Sequence, residues 1–422
     1  MISEQLEELR VLFWSRTARQ TVVLFSGQLL NVAIGIAVAA LNTRWLSVDE
    51  FGAFNVISAV VLFVAWFFDF GIYHAGSRLV ATTKDASEER KVAGGLTVLS
   101  AVLGVSLTVT IALLSFIVDG ILKSRIGGML LVLSPLAAIF PMQLMVTMVL
   151  RGNNSIERLA LYAFLPRAAY LVLIVVAWNL FGYSVGVAFG LNLASILLVT
   201  ICFVVLLKCN FHEIRATLAL IRRETKEYGL KIYYGTLVDN LTNGTDKLLI
   251  SSLVGTIPVG LYSAAVMLTN PISLFSRSLA TSVFKGFTAV DRIPLRDIVL
   301  NLGWLIAASA VLLLGSSLFI RLVFTERYIG IGSLLPILAL AAIFSGTNQL
   351  YHVFFMAHRR GAVVRNISIV SSLVFVIGNV LFISSFGLQG AAWAAVLAYG
   401  VNLLMNLYYY YRGRGLAVTE TA

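Results

Sequence analysis

A row of polar side chains at helical spacing interrupts one long apolar segment of the sequence. Asp239, Asn243 and Asp246 stand at positions i, i+4 and i+7, so they share one face of a helix. Asn240 and Lys247 lie on the neighbouring face. Such groups can bind a polar headgroup or carry a proton, and they can equally be buried hydrogen-bonding groups between helices. Both interpretations are open for this segment.

One acid and two arginines stand singly inside other apolar segments, namely Asp69 in the stretch FFDFGI, Arg167 and Arg277. The planar guanidinium group suits a phosphate or a pyrophosphate, because it donates two parallel hydrogen bonds. The two arginines therefore either bind an anionic group in an internal cavity or form ion pairs, with Asp69 as an obvious partner. Both assignments stay open at this point.

Other groups that carry chemistry are few. Cys202 and Cys209 are the only cysteines, and their places in a long apolar run and at its basic end argue against a disulfide or a metal site. We expect no metal and no cofactor. His74 and His352 lie within predicted spans, where they either relay protons or are satisfied interior histidines.

The composition sets these residues in a membrane. The 422 residues are 59% hydrophobic and only 12% charged, whereas a soluble domain is about a quarter charged. Apolar runs of about twenty residues, enough for a helix to cross a bilayer, recur from Thr21 to Tyr411. The N-terminal residues lack the pattern of a signal peptide, and 1–19 is predicted to be an interfacial amphipathic helix. We therefore predict an all-α polytopic membrane protein.

Twelve transmembrane spans are predicted, in two halves of six. The first six are residues 20–45, 52–77, 93–118, 129–150, 159–180 and 184–207. The second six are residues 231–254, 258–284, 298–321, 332–356, 366–385 and 388–411. The predicted domains are thus an N-terminal bundle at 20–207, a cytoplasmic linker at 208–230, a C-terminal bundle at 231–411 and a cytoplasmic tail at 412–422.

The basic residues orient these spans. With the N-terminus inside, the inner segments hold twenty-three Lys and Arg, whereas the outer segments hold five, which are Arg44, Lys123, Arg125, Arg321 and Arg327. Because basic loops stay on the cytoplasmic side, both termini are predicted to be cytoplasmic. The same bias accounts for the net charge of +11 without nucleic acid as a partner, and a basic inner face favours anionic lipid.

The two halves resemble each other. A shift of 208 residues places Gly52 on Gly260, each after a short turn on the outer side and two residues before an aromatic residue. The same shift places Asn31 on Asp239, so polar residues of span 1 coincide with those of span 7. These matches predict two pseudo-symmetric six-helix bundles related by an axis along the membrane normal.

Several stretches resemble the Wzx-type O-antigen and polysaccharide flippases of the multidrug/oligosaccharidyl-lipid/polysaccharide exporter superfamily. They are WLSVDEFGAFNVISAV (45–60), FFDFGIYHAGSRLVA (67–81), DKLLISSLVGTIPVGLYSAAVML (246–268) and FGLQGAAWAAVLAYGVN (386–402). The resemblance implies a two-bundle fold with a cationic central cavity in the bacterial inner membrane. It also implies transport of an undecaprenyl-pyrophosphate-linked saccharide from the inner to the outer leaflet, coupled to an ion gradient.

For a carrier of this kind, the polar residues of the spans take two roles. The predicted substrate-binding residues are Arg167, Arg277, Lys247, Asn31 and Asn243. The predicted ion-coupling residues are Asp69, Asp239 and Asp246. The expected partners are a lipid-linked saccharide and membrane lipid, together with a polysaccharide polymerase and a chain-length regulator of O-antigen or lipopolysaccharide assembly.

Three other functions compete with this one. A drug/cation antiporter of the related multidrug branch has the same twelve-span layout, but Arg167 and Arg277 suit an anionic substrate better. A lipid II flippase is expected to have two further spans. A membrane polymerase or ligase usually needs a sizeable outer loop, whereas every outer connection here is about a dozen residues or fewer. We therefore expect a transporter and not an enzyme.

Overall fold

The computed structural model describes the backbone of residues 16–83, 85–242, 244–288, 290–358 and 360–419. It describes the side chains of these residues except 16–29, 181, 238–242, 285 and 413–419. Over the described backbone the secondary structure is helical, with no strand. The predicted amphipathic helix at 1–19 lies outside the described residues, apart from the backbone of 16–19, which begins the first helix.

The helices follow the predicted spans. Those of the first half are α1 Arg16–Trp45, α2 Val48–Phe67, α3 Ile72–Thr82, α4 Ala86–Leu114, α5 Val118–Leu122, α6 Gly127–Ala137, α7 Ile139–Gly152, α8 Ile156–Phe181 and α9 Val185–Leu206. The predicted linker forms a helix, α10 Ile214–Glu224, and a π-helical turn, Thr225–Gly229. Those of the second half are α11 Leu230–Thr242, α12 Thr245–Val254, α13 Thr256–Phe287, α14 Leu295–Leu314, α15 Ser316–Val323, a 3-10 turn Glu326–Ser333, α16 Leu335–Ala357, α17 Gly361–Phe386 and α18 Leu388–Thr419.

Nine helices of the described residues are long and apolar enough to cross a membrane, and ten if α6 and α7, which meet at a bend of 41°, form one span. The other two predicted spans correspond to α1, whose first side chains lie outside the described part, and to the pair α11 and α12. Helices are the expected outcome, because a bilayer offers no water to the backbone and an α-helix satisfies its own N–H and C=O groups.

Two predicted spans are interrupted at a glycine with a left-handed backbone. Span 2 breaks at residues 68–71, where Phe70 and Gly71 take left-handed φ angles of 47° and 72°. Span 7 breaks at Gly244, which takes a φ of 88°. Glycine adopts such angles without a steric penalty, whereas Phe70 is strained by them. Both breaks leave backbone polar groups outside the regular helical ladder.

The first compact unit comprises the residues up to 38, 67–113 and 129–234. Its core draws side chains from α3, α4, α7, α8, α9 and α10, and Tyr73, Val149 and Ile221 are fully buried there. Helix α10 packs tightly on α4, since a Cβ added to Gly95 would lie 2.8 Å from Cδ1 of Ile221. The helix of the predicted linker is therefore part of this unit.

The break in span 2 is in backbone contact with the π-helical turn. A Cβ on Gly71 would lie 2.4 Å from the carbonyl oxygen of Gly229, and a Cβ on Gly229 would lie 2.2 Å from the carbonyl oxygen of Gly71. Neither position has room for a side chain. The close approach fixes the turn against the start of α3.

The second compact unit comprises residues 39–66, 114–128 and 235 onward. The last turns of α1 and most of α2 thus pack with the helices of the second half. One core cluster of this unit contains Phe287, Phe354 and Phe355. In another part of it, Gly52 of α2 meets α13, since a Cβ on Gly52 would lie 3.2 Å from the backbone nitrogen of Gly260. Small residues at such a crossing let two helix backbones approach closely.

Candidate functional site

Asp246 lies in the first turn of α12, next to the break in span 7. Its Oδ1 accepts a hydrogen bond of 2.8 Å from the backbone N–H of Lys247. Its carboxylate also accepts a hydrogen bond from the hydroxyl of Tyr262 on α13. The residue is half-buried. The free N–H groups at the start of a helix stabilise a negative charge in this place.

The ammonium group of Lys247 reaches a different partner. Its Nζ donates a hydrogen bond of 3.1 Å to Oδ1 of Asn55 on α2. Within the described residues no ion pair joins Lys247 to Asp246, as the sequence predicts, because consecutive side chains point about 100° apart around a helix. The other predicted neighbour of Lys247, Asn243, lies outside the described residues.

Tyr399 of α18 extends this group of residues towards Arg277 of α13. Its hydroxyl lies within electrostatic range of both the Asp246 carboxylate and the Arg277 guanidinium. Arg277 is exposed, and in the described part of the chain it forms no ion pair. We name these residues the α12 cluster: Asn55, Asp246, Lys247, Tyr262, Arg277 and Tyr399. The cluster holds a carboxylate that can exchange a proton or a cation and a guanidinium that can bind an anion.

The prediction that Asp239, Asn243 and Asp246 share one continuous helical face is wrong. Helix α11 ends at Thr242 and α12 begins at Thr245, and Gly244 before α12 has a left-handed backbone, so the helix is not continuous. The spacing i, i+4, i+7 assumes an unbroken helix and therefore does not apply across this break. The side chain of Asp239 lies outside the described part, as Asn243 does, so the roles of both stay predictions.

Asp69 lies at the break in span 2 and is only 5% exposed. The backbone N–H groups of Gly71 and Tyr73 face its carboxylate, and its Oδ2 is 3.8 Å from Nε2 of His74. Its Oδ1 has no hydrogen-bond partner among the described residues. A buried carboxylate oxygen without a partner is unfavourable unless a proton or a cation joins it. This geometry suits the predicted ion-coupling role.

Arg167 on α8 and Asn31 on α1 lie together in the first unit. Nη1 of Arg167 donates a hydrogen bond of 3.4 Å to the backbone carbonyl of Asn31. Oδ1 of Asn31 is buried and has no partner in the described part of the chain. Arg167 is exposed and, like Arg277, forms no ion pair with a described residue. The neighbour of the Asp69 carboxylate is His74, and in the described part of the chain no ion pair joins Asp69 to either arginine.

Across the described ranges, no three His, Cys, Asp or Glu side chains are grouped as metal ligands. Cys202 is exposed and Cys209 is half-buried, and both are free thiols. His352, on α16, is exposed.

Sequence reasoning missed three members of the α12 cluster, which are Asn55, Tyr262 and Tyr399. A weak signal existed for two of them. Tyr262 stands where Phe54 stands in the other half, so one half carries a hydroxyl that the other lacks. Asn55 follows Phe54 directly and is a polar residue in an otherwise apolar segment. Tyr399 reads as an ordinary aromatic residue of the last span.

Residues 17–284 match the family described as polysaccharide biosynthesis protein. No curated protein sequence matches the chain. Among solved structures, an inward-facing multidrug resistance MATE family transporter of the MOP superfamily has a TM-score of 0.74 and 18% identity, over 95% of this chain and 99% of that one. The lipid II flippase MurJ, in an inward closed conformation, has a TM-score of 0.73 and 16% identity, over 92% of this chain and 87% of that one. An outward-facing MATE transporter has a TM-score of 0.64 and 16% identity, over 98% of this chain and 99% of that one.

At these identities the structural likeness establishes the fold. It confirms the predicted all-α membrane fold of about twelve helices in two six-helix bundles. The family match supports the resemblance to Wzx-type polysaccharide flippases. The matched residues 17–284 make up more than half of the sequence, and the chain therefore belongs to the polysaccharide biosynthesis protein family.

Proposed function

We propose that the protein is a flippase for an undecaprenyl-pyrophosphate-linked oligosaccharide, which it moves from the inner to the outer leaflet of the bacterial inner membrane. Membership of the polysaccharide biosynthesis family supports a saccharide as the cargo. The observation that carries the proposal is a pair of exposed arginines, Arg167 and Arg277, inside membrane-spanning helices and without an acidic partner among the described residues.

An arginine at the centre of a bilayer costs roughly 2.5–3.5 kcal/mol on insertion scales. A neighbouring acid would reduce this cost, but neither arginine has one in the described structure. An anionic cargo supplies the missing negative charge when it binds. A pyrophosphate matches the guanidinium geometry better than a carboxylate of a peptide or a neutral sugar does, because it offers several oxygens to the fork of donors.

Each unit has cationic and polar side chains that suit the charged head of the cargo. Arg167, together with Asn31, offers a guanidinium and a free amide oxygen in the first unit. Arg277 and Lys247 offer two cations in the second unit, and Asn243 joins them as a predicted contact. We assign these groups to the pyrophosphate and the first sugar, while the polyprenyl tail stays in lipid.

The carboxylates supply the coupling to an ion gradient. Alternating access requires that the relative stability of the inward-open and outward-open states changes during the cycle. Proton or cation binding at Asp69, Asp239 or Asp246 provides this change. Asp69 supports the assignment best, because it has a buried carboxylate oxygen without a described partner. The flipped product then becomes available to a polymerase and a chain-length regulator on the outer side.

A drug/cation antiporter is the second candidate, and the fold shared with a multidrug MATE transporter favours it. Its cargo is cationic, however, and two arginines without acidic partners would repel a cation. The charge of the transported molecule therefore separates the two functions.

Export of surface polysaccharide tests the proposal. We expect Arg167→Ala and Arg277→Ala to reduce export at least about tenfold, because each removes a charge-assisted contact to the pyrophosphate. Lipid-linked repeat units should accumulate on the inner leaflet while the protein remains at normal levels in the membrane. Arg277→Lys keeps the charge without the planar fork and should restore export only in part.

Arg296→Ala is the matched control, because Arg296 is an exposed arginine in the first turn of α14. It should export normally. Full export by both Arg167→Ala and Arg277→Ala would remove the flippase assignment of these residues. Loss of resistance to cationic drugs, with polysaccharide export unchanged, would instead support the antiporter.

A further inference from the structure

Helix α10 uses its acidic residues to attach itself to the first unit. Ile221 is fully buried in the core of that unit. On either side of it, Glu213 forms an ion pair of 2.7 Å with Lys91, and Glu224 forms one of 2.5 Å with Arg78. Both acidic residues therefore form their ion pairs on the side of α10 that packs against the first unit, and their negative charges are neutralised there.

The opposite face of α10 and of the π-helical turn is basic. Arg215, Arg222, Arg223 and Lys226 are exposed there and recur at helical spacing, so they form one continuous row, which we name the basic stripe. Arg223 pairs with Glu227 at 2.9 Å. The other three members form no ion pair with any residue that the structure describes.

The basic stripe, together with Glu227, lines a shallow, open concavity of about 620 Å³. Leu218 and Ala219 form an apolar part of its wall between the basic residues. The chemistry of this wall fits a ligand with a negatively charged head and an apolar part directly attached to it.

We propose that the basic stripe binds the phosphate headgroup of an anionic phospholipid from the adjacent leaflet. Helix α10 lies close to that leaflet along the chain, since residues 207–213 alone separate it from α9 and α11 follows the π-helical turn directly. Guanidinium and ammonium groups bind phosphate oxygens. Leu218 and Ala219 then contact the glycerol and the first methylene groups. This inference does not depend on which molecule the protein carries.

A solvated face does not explain the stripe equally well. Other basic residues at this end of the unit, Arg78 and Lys91, are neutralised by acids. Arg215, Arg222 and Lys226 form no ion pair among the described residues, because the one acid of the wall, Glu227, is paired with Arg223. An anionic lipid is present in the plane of the membrane at high local concentration, and juxtamembrane basic residues attract it. A soluble acidic protein would need no apolar wall between the arginines.

Native mass spectrometry of the full-length protein in a neutral detergent tests the proposal. The protein is titrated with dioleoylphosphatidylglycerol, with dioleoylphosphatidylcholine as the neutral lipid and inorganic phosphate as the competitor without a tail. We expect the protein to retain phosphatidylglycerol in preference to phosphatidylcholine. The triple variant Arg215→Gln, Arg222→Gln, Lys226→Gln should bind phosphatidylglycerol at least about tenfold more weakly, since each basic residue contributes several-fold.

The matched control is the triple variant Arg292→Gln, Arg296→Gln, Arg360→Gln. It removes three exposed arginines from the second unit, and its affinity should change by less than about twofold. Unchanged phosphatidylglycerol binding in the stripe variant would overturn the proposal, and so would an equal loss in both variants. Displacement of the lipid by millimolar inorganic phosphate would overturn it too, because it would indicate a site for free phosphate.

Two further measurements distinguish a loss of lipid binding from a loss of folding. The thermal midpoint of each variant without lipid should equal that of the wild type, because the substituted side chains are exposed. The single variant Arg222→Gln should weaken lipid binding by about fivefold if the triple variant unfolds. An acidic protein that co-purifies with the wild type and is lost from the stripe variant, with lipid binding unchanged, would identify a protein-binding surface and contradict the proposal.

Discussion

Gly52 of α2 and Gly260 of α13 occupy equivalent positions in the two halves, 208 residues apart, and they are in backbone contact with each other. A Cβ on Gly260 would lie 3.1 Å from the backbone nitrogen of Gly52 and 2.5 Å from the carbonyl oxygen of Val48. Nearby, the hydroxyl of Thr256 donates a hydrogen bond to the carboxylate of Asp49. The two copies of the repeated glycine motif thus contact each other at equivalent glycines.

Gly52→Ala is expected to destabilise the protein. Its new methyl group would lie 2.0 Å from the carbonyl oxygen of Thr256, so the two helix starts must move apart. Overpacking of this kind costs about 1–3 kcal/mol. The measurement is the thermal unfolding midpoint in detergent. Gly303→Ala, in the interior of α14 with no atom within 4 Å of the new methyl group, is the control; it should be as stable as the wild type or more stable. A midpoint for Gly52→Ala equal to that of Gly303→Ala would contradict the close contact.

Asn55→Ala is expected to destabilise the α12 cluster. The substitution removes the oxygen that accepts the hydrogen bond from Lys247 and leaves that ammonium group without this partner, at a cost of about 1–3 kcal/mol. Asn55→Asp should restore a partner and recover the stability. Asn179→Ala is the control, because the Asn179 amide is exposed and bonds only to a carbonyl of its own helix. Equal unfolding midpoints for the two alanine variants would show that the Lys247 contact contributes nothing.

Asp246→Asn is expected to abolish polysaccharide export while the protein inserts at normal levels. The asparagine oxygen can still accept the hydrogen bond from Tyr262, but the amide takes up no proton and binds a cation weakly. Export is measured beside Asp297→Asn, which changes a half-buried acid in the first turn of α14 and should leave export unchanged. Normal export by Asp246→Asn would exclude this carboxylate from coupling and leave Asp69 and Asp239 as the candidates.

The ion pair of Glu213 and Lys91 predicts a pH dependence of stability. The hydrogen bond from Lys91 lowers the pKa of the Glu213 carboxyl below its ordinary value of 4.5. The folded state therefore favours the charged form, and the stabilisation is present above that value and disappears as the pH falls through the lowered pKa.

The variant Glu213→Gln should accordingly unfold at a slightly lower temperature than the wild type at neutral pH, since both side chains are at the surface and the effect is small. The difference in unfolding midpoint should close as the pH falls below 4.5 and through the lowered pKa of Glu213. Glu157→Gln, which alters an exposed acid of α8 that forms no ion pair in the described structure, is the control. A difference for Glu213→Gln that stays constant with pH would disprove the link to this titration.

The spans were predictable because length and hydrophobicity alone determine which segments can cross a bilayer. Their breaks were not. Gly71 and Gly35 are both glycines within predicted spans. Helix α1 continues through Gly35, whereas α2 ends at Phe67, before Gly71. The difference lies in tertiary contact, since Gly71 meets the backbone of Gly229 and Gly35 has no neighbour within 4 Å of an added Cβ.

The candidate site was predictable in part for a related reason. Polar residues inside spans are conspicuous in the sequence, and Asp69, Lys247 and Asp246 were found in this way. Their partners depend on which helices pack together. Asn348, Asn402 and Asn406 are as polar as Asn31, but they form a chain of amide hydrogen bonds between α16 and α18. Such structural networks and ligand-binding groups have the same appearance in a sequence.

The attachment of α10 has a practical consequence for dividing the gene into two co-expressed fragments. Glu224 is bound to Arg78, and Gly229 is seated against Gly71. A cut before residue 214 would place α10 on the C-terminal fragment and separate it from the surface of the first unit on which it packs. Fragments that reassemble should therefore carry everything up to the end of the π-helical turn on the N-terminal piece.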